Sequence, residues 1–184
     1  GMTETSATFT HHMAEDYEHR PDSCGPPVPV CDLQVRDPDG KVLGPNEVGE
    51  IYGFGPNVVR LYWNKPEATA ATFIDGWVRT GDLGRMDKDG FIFVTGRIKE
   101  LIIKGGENIA PREIDEALLE HDAVLEAAAF ARDCKDYGQR VEACVRLKDG
   151  KTISEDELRA FCTSRIGAYK TPDHIYFLED LPKG

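Results

Sequence analysis

The chain has 184 residues and a mass of 20.4 kDa, which is enough for one large or two modest domains, each with its own core. Apolar residues make up 40% of the sequence and charged residues 30%, so a disordered or collagen-like chain is excluded. The formal net charge of −11 opposes binding to a phosphate backbone, and we expect no nucleic-acid partner.

Two further features concern the cellular compartment. The apolar runs fall well short of the roughly 20 residues that cross a bilayer, so no transmembrane segment is expected. The five cysteines are odd in number and form no C-x-x-C pair. This usage favours reduced thiols in the cytoplasm over a disulfide framework.

Turn-forming residues divide the first part of the chain into short segments that are typical of antiparallel strands. Asp37-Pro38-Asp39-Gly40 and Asp87-Lys88-Asp89-Gly90 are turn sequences, and Gly81-Asp82 is interpreted as a further turn between strands. The strands predicted between these turns are residues 30–36, 50–54, 77–80, 83–86 and 91–94. They predict a small, curved β unit.

From about residue 97 the pattern alternates between strands and helices. A strand over 100–104 precedes the Gly105-Gly106 break, and Pro111 suits the first turn of a helix. Residues 141–147 alternate between apolar and polar, which predicts a strand with one buried face. Ser154 and Glu157 form a capping box for a second helix, and a last strand is predicted over 175–178. We therefore expect a second, α+β domain over 97–184, with a boundary near Gly96.

Several short motifs in the chain are weak when each is taken alone. The Thr3–Ser6 segment could cap a helix, and Tyr62-Trp63 could be core aromatics. Asp82 follows a flexible glycine, where its carboxylate could accept hydrogen bonds from the vicinal hydroxyls of a ribose or could serve only as a turn aspartate. The order and spacing of the motifs carry more information than any one of them.

Taken together, the motifs resemble those of the adenylate-forming superfamily, which includes acyl-CoA synthetases, luciferases and nonribosomal adenylation domains. The uninterrupted Arg79-Thr80-Gly81-Asp82-Leu83 run is similar to the family's R-T-G-D-L motif. The other matching segments are Gly1 to Thr5 at the end of a Y-G-x-T-E motif, Gly49-Glu50-Ile51 through Tyr62-Trp63, Gly96 to Glu100, and Gly106 to Ile114. The resemblance covers nearly the whole chain.

The resemblance implies an α+β fold with two parts. Residues 1–96 would form the distorted antiparallel β-barrel subdomain that ends a large N-terminal domain, and residues 97–184 would form a small, mobile C-terminal domain. The implied reaction joins a carboxylic acid to the α-phosphate of ATP and then transfers the acyl group to a thiol such as that of coenzyme A. ATP, AMP, Mg²⁺, coenzyme A and a carboxylic acid are therefore the expected ligands.

The resemblance also implies roles for individual residues. In catalysis, Thr3 would contact a phosphate oxygen, and Glu4 would hold Mg²⁺. The nucleotide would be bound by Asp82 and Arg97, which would hold the ribose hydroxyls from two sides, and by Val94, which would pack beside the sugar.

Residues of the second domain would serve the thiol step. By the same resemblance, Lys99 occupies the hinge position, where a few backbone dihedrals reorient the following domain. The Lys104-Gly105-Gly106 loop would approach the pantetheine arm of coenzyme A, because glycines permit close backbone contact. Contact between Lys104 and coenzyme A phosphates is one interpretation of this lysine, and a solvated surface lysine is the favoured one.

The sequence departs from the family pattern in two places. Leu61 stands where the family commonly has glycine before Tyr62-Trp63, so the local backbone is expected to differ. The family's C-terminal L-P-[KR]-x-x-x-G-K motif begins at Leu181 and stops at Gly184, so Lys183 is not the catalytic lysine. The phosphate loop and most of the acid pocket would precede Gly1, and we expect an inactive fragment of a longer enzyme.

Two alternatives to an acyl-CoA synthetase stay open at this point. The same motifs occur in adenylation units that load a carrier protein. A non-catalytic interaction module that keeps the fold would also retain them.

Overall fold

The computed structural model describes residues 1–181, so Lys183 lies outside the described residues. The chain divides into two compact units, Gly1–Ile98 and a second unit from Lys99 onward. The division lies two residues beyond the expected end of the first part at residue 96. No helix in this described part of the chain is long and apolar enough to cross a membrane.

The first unit is built around one curled antiparallel sheet. Its strands are β1 (Asp32–Arg36), β2 (Gly49–Phe54), β3 (Phe73–Ile74), β4 (Trp77–Met86) and β5 (Ile92–Arg97). They lie in the order β1-β2-β4-β3, and β5 pairs with β4. A 3₁₀ turn (Thr3–Thr5) and two short helices, α1 (Ala14–His19) and α2 (Pro66–Thr72), complete this unit.

The apolar core of the first unit is built from side chains of this sheet and of the N-terminal segment. Its buried apolar side chains include Val35, Ile51, Val78 and Ile92. Phe9 joins them from the N-terminal segment, and its ring lies where a side chain at Gly53 would stand, because a Cβ there would be 2.2 Å from the ring. Glycine at this point of β2 therefore lets the N-terminal segment pack on the sheet.

The interpretation of Gly81-Asp82 as a turn is wrong. The predicted strands 77–80 and 83–86 form one ten-residue strand, β4, that runs through both residues. Gly81 has φ +73, and the pairing with β2 shifts register at this point. The extra residues form a β-bulge, because a glycine with positive φ can lengthen one strand locally without ending it.

The second unit contains a mixed sheet and two helices. Its elements are β6 (Ile102–Lys104), β7 (Glu107–Ile109), α3 (Pro111–Leu119), β8 (Val124–Cys134), β9 (Gly138–Leu147), α4 (Glu155–Ile166) and β10 (His174–Phe177). The order is β10-β9-β6-β7, with β8 on β9, and β10 runs parallel to β9 while the other pairs are antiparallel. Both helices contribute to one core that includes Ile114, Val141 and Leu158. The α+β class is confirmed.

The helix boundaries of the second unit follow from local chemistry. Pro111 opens α3 at its first turn, as predicted. The capping box of α4 is confirmed, because the Ser154 hydroxyl accepts from the Glu157 amide at 3.3 Å while the Glu157 carboxylate accepts from the Ser154 amide at 3.1 Å. Both hydrogen bonds satisfy backbone amides at the start of α4 that have no partner within the helix.

Asp115 on α3 is half-buried against strand β8. Its Oδ1 accepts from the Ala129 amide at 2.6 Å, which satisfies a donor on β8. Burial raises the pKa of Asp115 to about 6, and the Ala129 bond opposes that rise. The folded chain therefore keeps this proton over a pH range in which the unfolded chain loses it, so the stability that this carboxyl adds is present below pH 4 and is lost as pH rises through 6.

Replacing Asp115 with asparagine tests this titration. We expect the unfolding free energy of the parent, relative to Asp115→Asn, to fall by about 1–2 kcal/mol between pH 4 and pH 7, after discounting for partial solvent exposure. Chemical denaturation at a series of pH values measures the difference. Asp122→Asn, at an exposed position, is the control. Parallel pH profiles for the parent and Asp115→Asn would contradict the assignment.

Candidate functional site

The bulge in β4 begins at an ion pair with strand β2. The Arg79 guanidinium binds the Glu50 carboxylate at 2.7 Å through Nη2 and at 3.1 Å through Nε. Glu50 is only 8% exposed, and its hydrogen bonds raise the pKa of Arg79. A buried carboxylate is stable here because a cation meets it with two directed bonds.

Thr80 and Gly81 fix the shape of the bulge. The Thr80 hydroxyl donates to the Ile51 carbonyl at 2.8 Å and accepts from the Asp82 amide at 3.0 Å. The Gly81 amide points to Glu50 Oε1 at 3.3 Å. The backbone amides of Gly81 and Asp82, which leave the regular ladder, thus find side-chain partners within the bulge.

Asp82 and Arg97 face each other across β4 and β5. The two residues are register partners, and Arg97 Nε lies 2.9 Å from Asp82 Oδ1. The Asp82 side chain is 24% exposed and that of Arg97 is 64% exposed, so both remain accessible. The structure brings together a hydrogen-bond acceptor and a cationic donor, which is the pair that a vicinal diol can bind.

A small open cleft of about 90 Å³ lies beside this pair. Asp82 and Thr80 are among its polar residues, and Val94 also lines it. The other lining residues are mainly apolar and come from the N-terminal segment and the sheet: Gly1, Met2, Phe9, Thr10, Cys24, Leu33, Ile51 and Ile92. The cleft therefore combines a largely apolar wall with one carboxylate, a combination typical of small-molecule sites.

Glu4 lies in the N-terminal 3₁₀ turn beside exposed Thr3. The Glu4 carboxylate accepts from the Tyr62 hydroxyl at 2.7 Å, and the Glu4 carbonyl accepts from the Val59 amide at 2.8 Å. The Asn57 side chain donates to the carbonyl of Thr5 at 2.9 Å. This turn is therefore held by residues more than fifty positions away in the sequence.

The sequence did not predict that Tyr62 binds the Glu4 carboxylate, because the pattern suggested only that Tyr62 and Trp63 are core aromatics. Tyr62 is held by its own amide, which donates to Thr69 Oγ1 at 3.0 Å, and by its ring, 5.4 Å from that of Phe73. Burial and the bond to Glu4 raise the pKa of the phenol. Trp63 is 83% exposed, so the core interpretation is wrong for this residue.

The donor chemistry at Glu4 fits a hard cation. Within residues 1–181, no group of three or more His, Cys, Asp or Glu side chains could hold a metal by itself. Mg²⁺ commonly takes one or two carboxylates and completes its shell with water and substrate phosphates. A single carboxylate oriented by Tyr62 suits that mode of binding.

Lys99 is the first residue of the second unit. It is exposed and lies in a 3₁₀ turn, Ile98–Glu100, that carries the chain from one unit to the next. No secondary-structure ladder fixes this residue, which is what a hinge position needs.

Lys104 is buried, with 8% exposure, so its interpretation as a solvated surface lysine is wrong. Its Nζ donates to the Tyr169 carbonyl at 3.1 Å and lies 3.7 Å from Asp173 Oδ2. The Tyr169 hydroxyl donates back to the Lys104 carbonyl. The charge of Lys104 is thus used inside its own unit, because an unpaired buried ammonium is costly.

The two glycines that follow Lys104 form an exposed turn. Gly105 and Gly106 have φ +56 and +89, in the left-handed region that favours glycine. The Gly105 amide donates to the Tyr137 carbonyl at 2.9 Å. A Cβ added at Gly106 would meet no atom within 4 Å, so another molecule can approach this backbone closely.

Two protein families match parts of the chain. Residues 1–63 match the AMP-binding enzyme family, and residues 113–184 match the AMP-binding enzyme C-terminal domain. The sulfoacetate–CoA ligase of Cupriavidus necator is 45% identical over 185 residues; the match covers 100% of this chain and 36% of the ligase. The chain therefore spans about a third of that relative's length.

Solved structures agree with these matches. The o-succinylbenzoate CoA synthetase of Bacillus subtilis is 39% identical, and its complex with an acyl-adenylate intermediate superposes with a TM-score of 0.88 over 100% of this chain and 37% of the synthetase. The same synthetase in complex with ATP and a magnesium ion gives 0.86, over 100% of this chain and 38% of the other. Together with the motif order and the fold, these matches establish that the chain belongs to the adenylate-forming superfamily.

Proposed function

We propose that the full-length protein is a cytoplasmic, ATP-dependent acyl-CoA synthetase, which activates a carboxylic acid as acyl-AMP and transfers the acyl group to coenzyme A. The observation that carries the proposal is the Asp82–Arg97 pair beside the cleft. The names of the CoA ligase relatives support coenzyme A as the acceptor. All five cysteines lie within the described residues and are free, which supports a reducing compartment.

In the first half-reaction, the substrate carboxylate meets a phosphate that already carries negative charge. Asp82 accepts from the ribose hydroxyls, Arg97 donates to them, and Val94 packs against the sugar. Thr3 donates to a phosphate oxygen as charge shifts toward the leaving pyrophosphate. Glu4 holds Mg²⁺, which when bound supplies positive charge against the phosphates.

In the second half-reaction, the thiol of coenzyme A replaces AMP on the acyl carbon. Reorientation about Lys99 exchanges the surface that the second unit offers to the acyl-adenylate. The Gly105-Gly106 turn approaches the pantetheine arm with its backbone. Because the Lys104 ammonium is bound to Tyr169 and Asp173, backbone contact is the better supported role for this loop.

The acceptor distinguishes the proposed synthetase from the other two candidates. For the full-length protein, we expect acid-dependent exchange of pyrophosphate into ATP and thioester formation with coenzyme A. Product only with a carrier protein would identify an adenylation unit, and no exchange with a broad set of acids would favour an interaction module. The purified 184-residue chain is expected to show no exchange, and robust exchange by that chain would refute the assignment of essential groups outside it.

Two substitutions separate ribose binding from the hinge. Asp82→Asn removes a charged acceptor, so we expect about 10- to 100-fold weaker AMP binding and a loss in both half-reactions.

Lys99→Pro restricts one backbone dihedral and is expected to slow thioester formation while pyrophosphate exchange stays within about threefold of the parent. Calorimetry and separate assays of the two half-reactions measure these effects. Equal damage to both steps by Lys99→Pro would count against the hinge.

Removing the Tyr62 hydroxyl tests the orientation of Glu4. We expect Tyr62→Phe to raise the Mg²⁺ concentration for half-maximal pyrophosphate exchange by about 3- to 10-fold, which corresponds to the net value of one typical hydrogen bond. Metal-free AMP binding should stay unchanged, because the ring and its packing remain. Tyr17→Phe, at an exposed ring, is the control. An unchanged Mg²⁺ requirement for Tyr62→Phe would remove Tyr62 from the site.

A further inference from the structure

Glu50 is a buried carboxylate to which the proposed reaction assigns no chemistry. It lies on β2 with 8% of its surface exposed, next to the candidate nucleotide cleft but not on its lining. Burying a charge is unfavourable unless partners replace its water shell. Its partners therefore indicate what this carboxylate holds in place.

Those partners lie just before the β4 bulge and within it. In the pairing of β2 with β4, Tyr52 faces Arg79 and Glu50 faces Leu83. One β2 residue, Ile51, thus stands opposite the three residues from Thr80 to Asp82, which form the bulge. Glu50 binds Arg79 just before the bulge at 2.7 Å and receives the Gly81 amide inside it at 3.3 Å.

We propose that Glu50 is a positioning residue for Asp82, the carboxylate assigned to the ribose. Glu50 holds Arg79 and Gly81 so that the bulge has one shape, and this shape directs Asp82 toward Arg97 on the neighbouring strand β5. The inference rests on the proposed function and adds a residue that acts on the ligand only through Asp82. Glu50 itself touches no substrate.

Without the Glu50 carboxylate, Arg79 and the Gly81 amide lose the acceptor that they share. Gly81 has φ +73 and no atom within 4 Å of an added Cβ, so neither packing nor a side chain of its own confines it. Thr80 still bridges Ile51 and Asp82, which keeps the strands paired. We therefore expect the Asp82 carboxylate to sample several directions, while the pairing of β4 with β5 at Asp82 and Arg97 keeps the sheet folded.

The competing explanation is that the Glu50–Arg79 pair only stabilises the sheet. A double-mutant cycle separates the two, because residues that act through one another are not additive. The proteins are the full-length parent, Glu50→Gln, Asp82→Asn and the double variant. Calorimetric titration with AMP measures each affinity, and thermal unfolding verifies that each protein folds.

We expect Glu50→Gln to weaken AMP binding about 5- to 20-fold, whereas adding it to Asp82→Asn changes the affinity by less than about twofold. Glu47→Gln, at an exposed turn carboxylate three positions away, should leave AMP binding unchanged. Multiplied losses in the double variant, or full affinity in Glu50→Gln, would overturn the proposal.

Two glycine variants test the bulge without changing a charge. Gly81→Ala and Gly90→Ala introduce comparable strain, because φ is +73 and +87 and neither Cβ meets an atom within 4 Å. Similar losses of stability are expected, with weaker AMP binding only in Gly81→Ala. Equal AMP affinity in both variants would contradict a role for the shape of the bulge.

Failure of the proposed function gives a different result from failure of this inference. If the parent binds no AMP, or Asp82→Asn binds it as well as the parent, the nucleotide assignment is wrong. Hydrogen exchange at the Gly81 and Asp82 amides then decides the positioning role without a ligand. Faster exchange in Glu50→Gln than in Glu47→Gln supports it, and equal exchange overturns it.

Discussion

The ion pair between Asp82 and Arg97 lies at a local break in the regularity of the sheet. In a regular ladder each β4 residue would face a fixed β2 partner, and the side chain at position 82 would be directed by that register alone. The bulge over Thr80 to Asp82 removes this constraint and replaces it with hydrogen bonds to Ile51 and to Glu50. Gly81, with φ +73, and the buried Glu50 carboxylate both take part in that replacement.

The sequence predicted the elements whose signals are local. The capping box of Ser154 and Glu157, the proline that opens α3 and the alternating strand over 141–147 are each determined by a few neighbouring residues. Strand β8 was not predicted, because its alanine-rich sequence has no clear alternation and its extended form depends on pairing with β9. Tertiary pairing here outweighs the local helix preference of alanine.

Side-chain environments were less predictable than elements. Gly81-Asp82 has the composition of a turn, and only the pairing of β4 with strands on both sides shows that the chain continues straight through. A lysine is usually expected at the surface, yet Lys104 is buried and donates to the carbonyl of Tyr169, sixty-five positions later in the chain. The Tyr62–Glu4 contact spans fifty-eight positions. Such contacts carry no signal in sequence spacing, so they were found only in three dimensions.

The place of the candidate ribose site within the first unit bears on the proposed reorientation. Asp82 and Arg97 are held by the pairing of β4 with β5, and the division between units falls just after Ile98. Rotation of the backbone at Lys99 therefore leaves the hydrogen bonds of this strand pair unchanged. A nucleotide held by Asp82 and Arg97 can stay bound while the second unit moves, which a two-step reaction on one adenylate requires. In the proposed reorientation, rotation within the short 3₁₀ turn Ile98–Glu100 would involve residues to which no ribose contact is assigned.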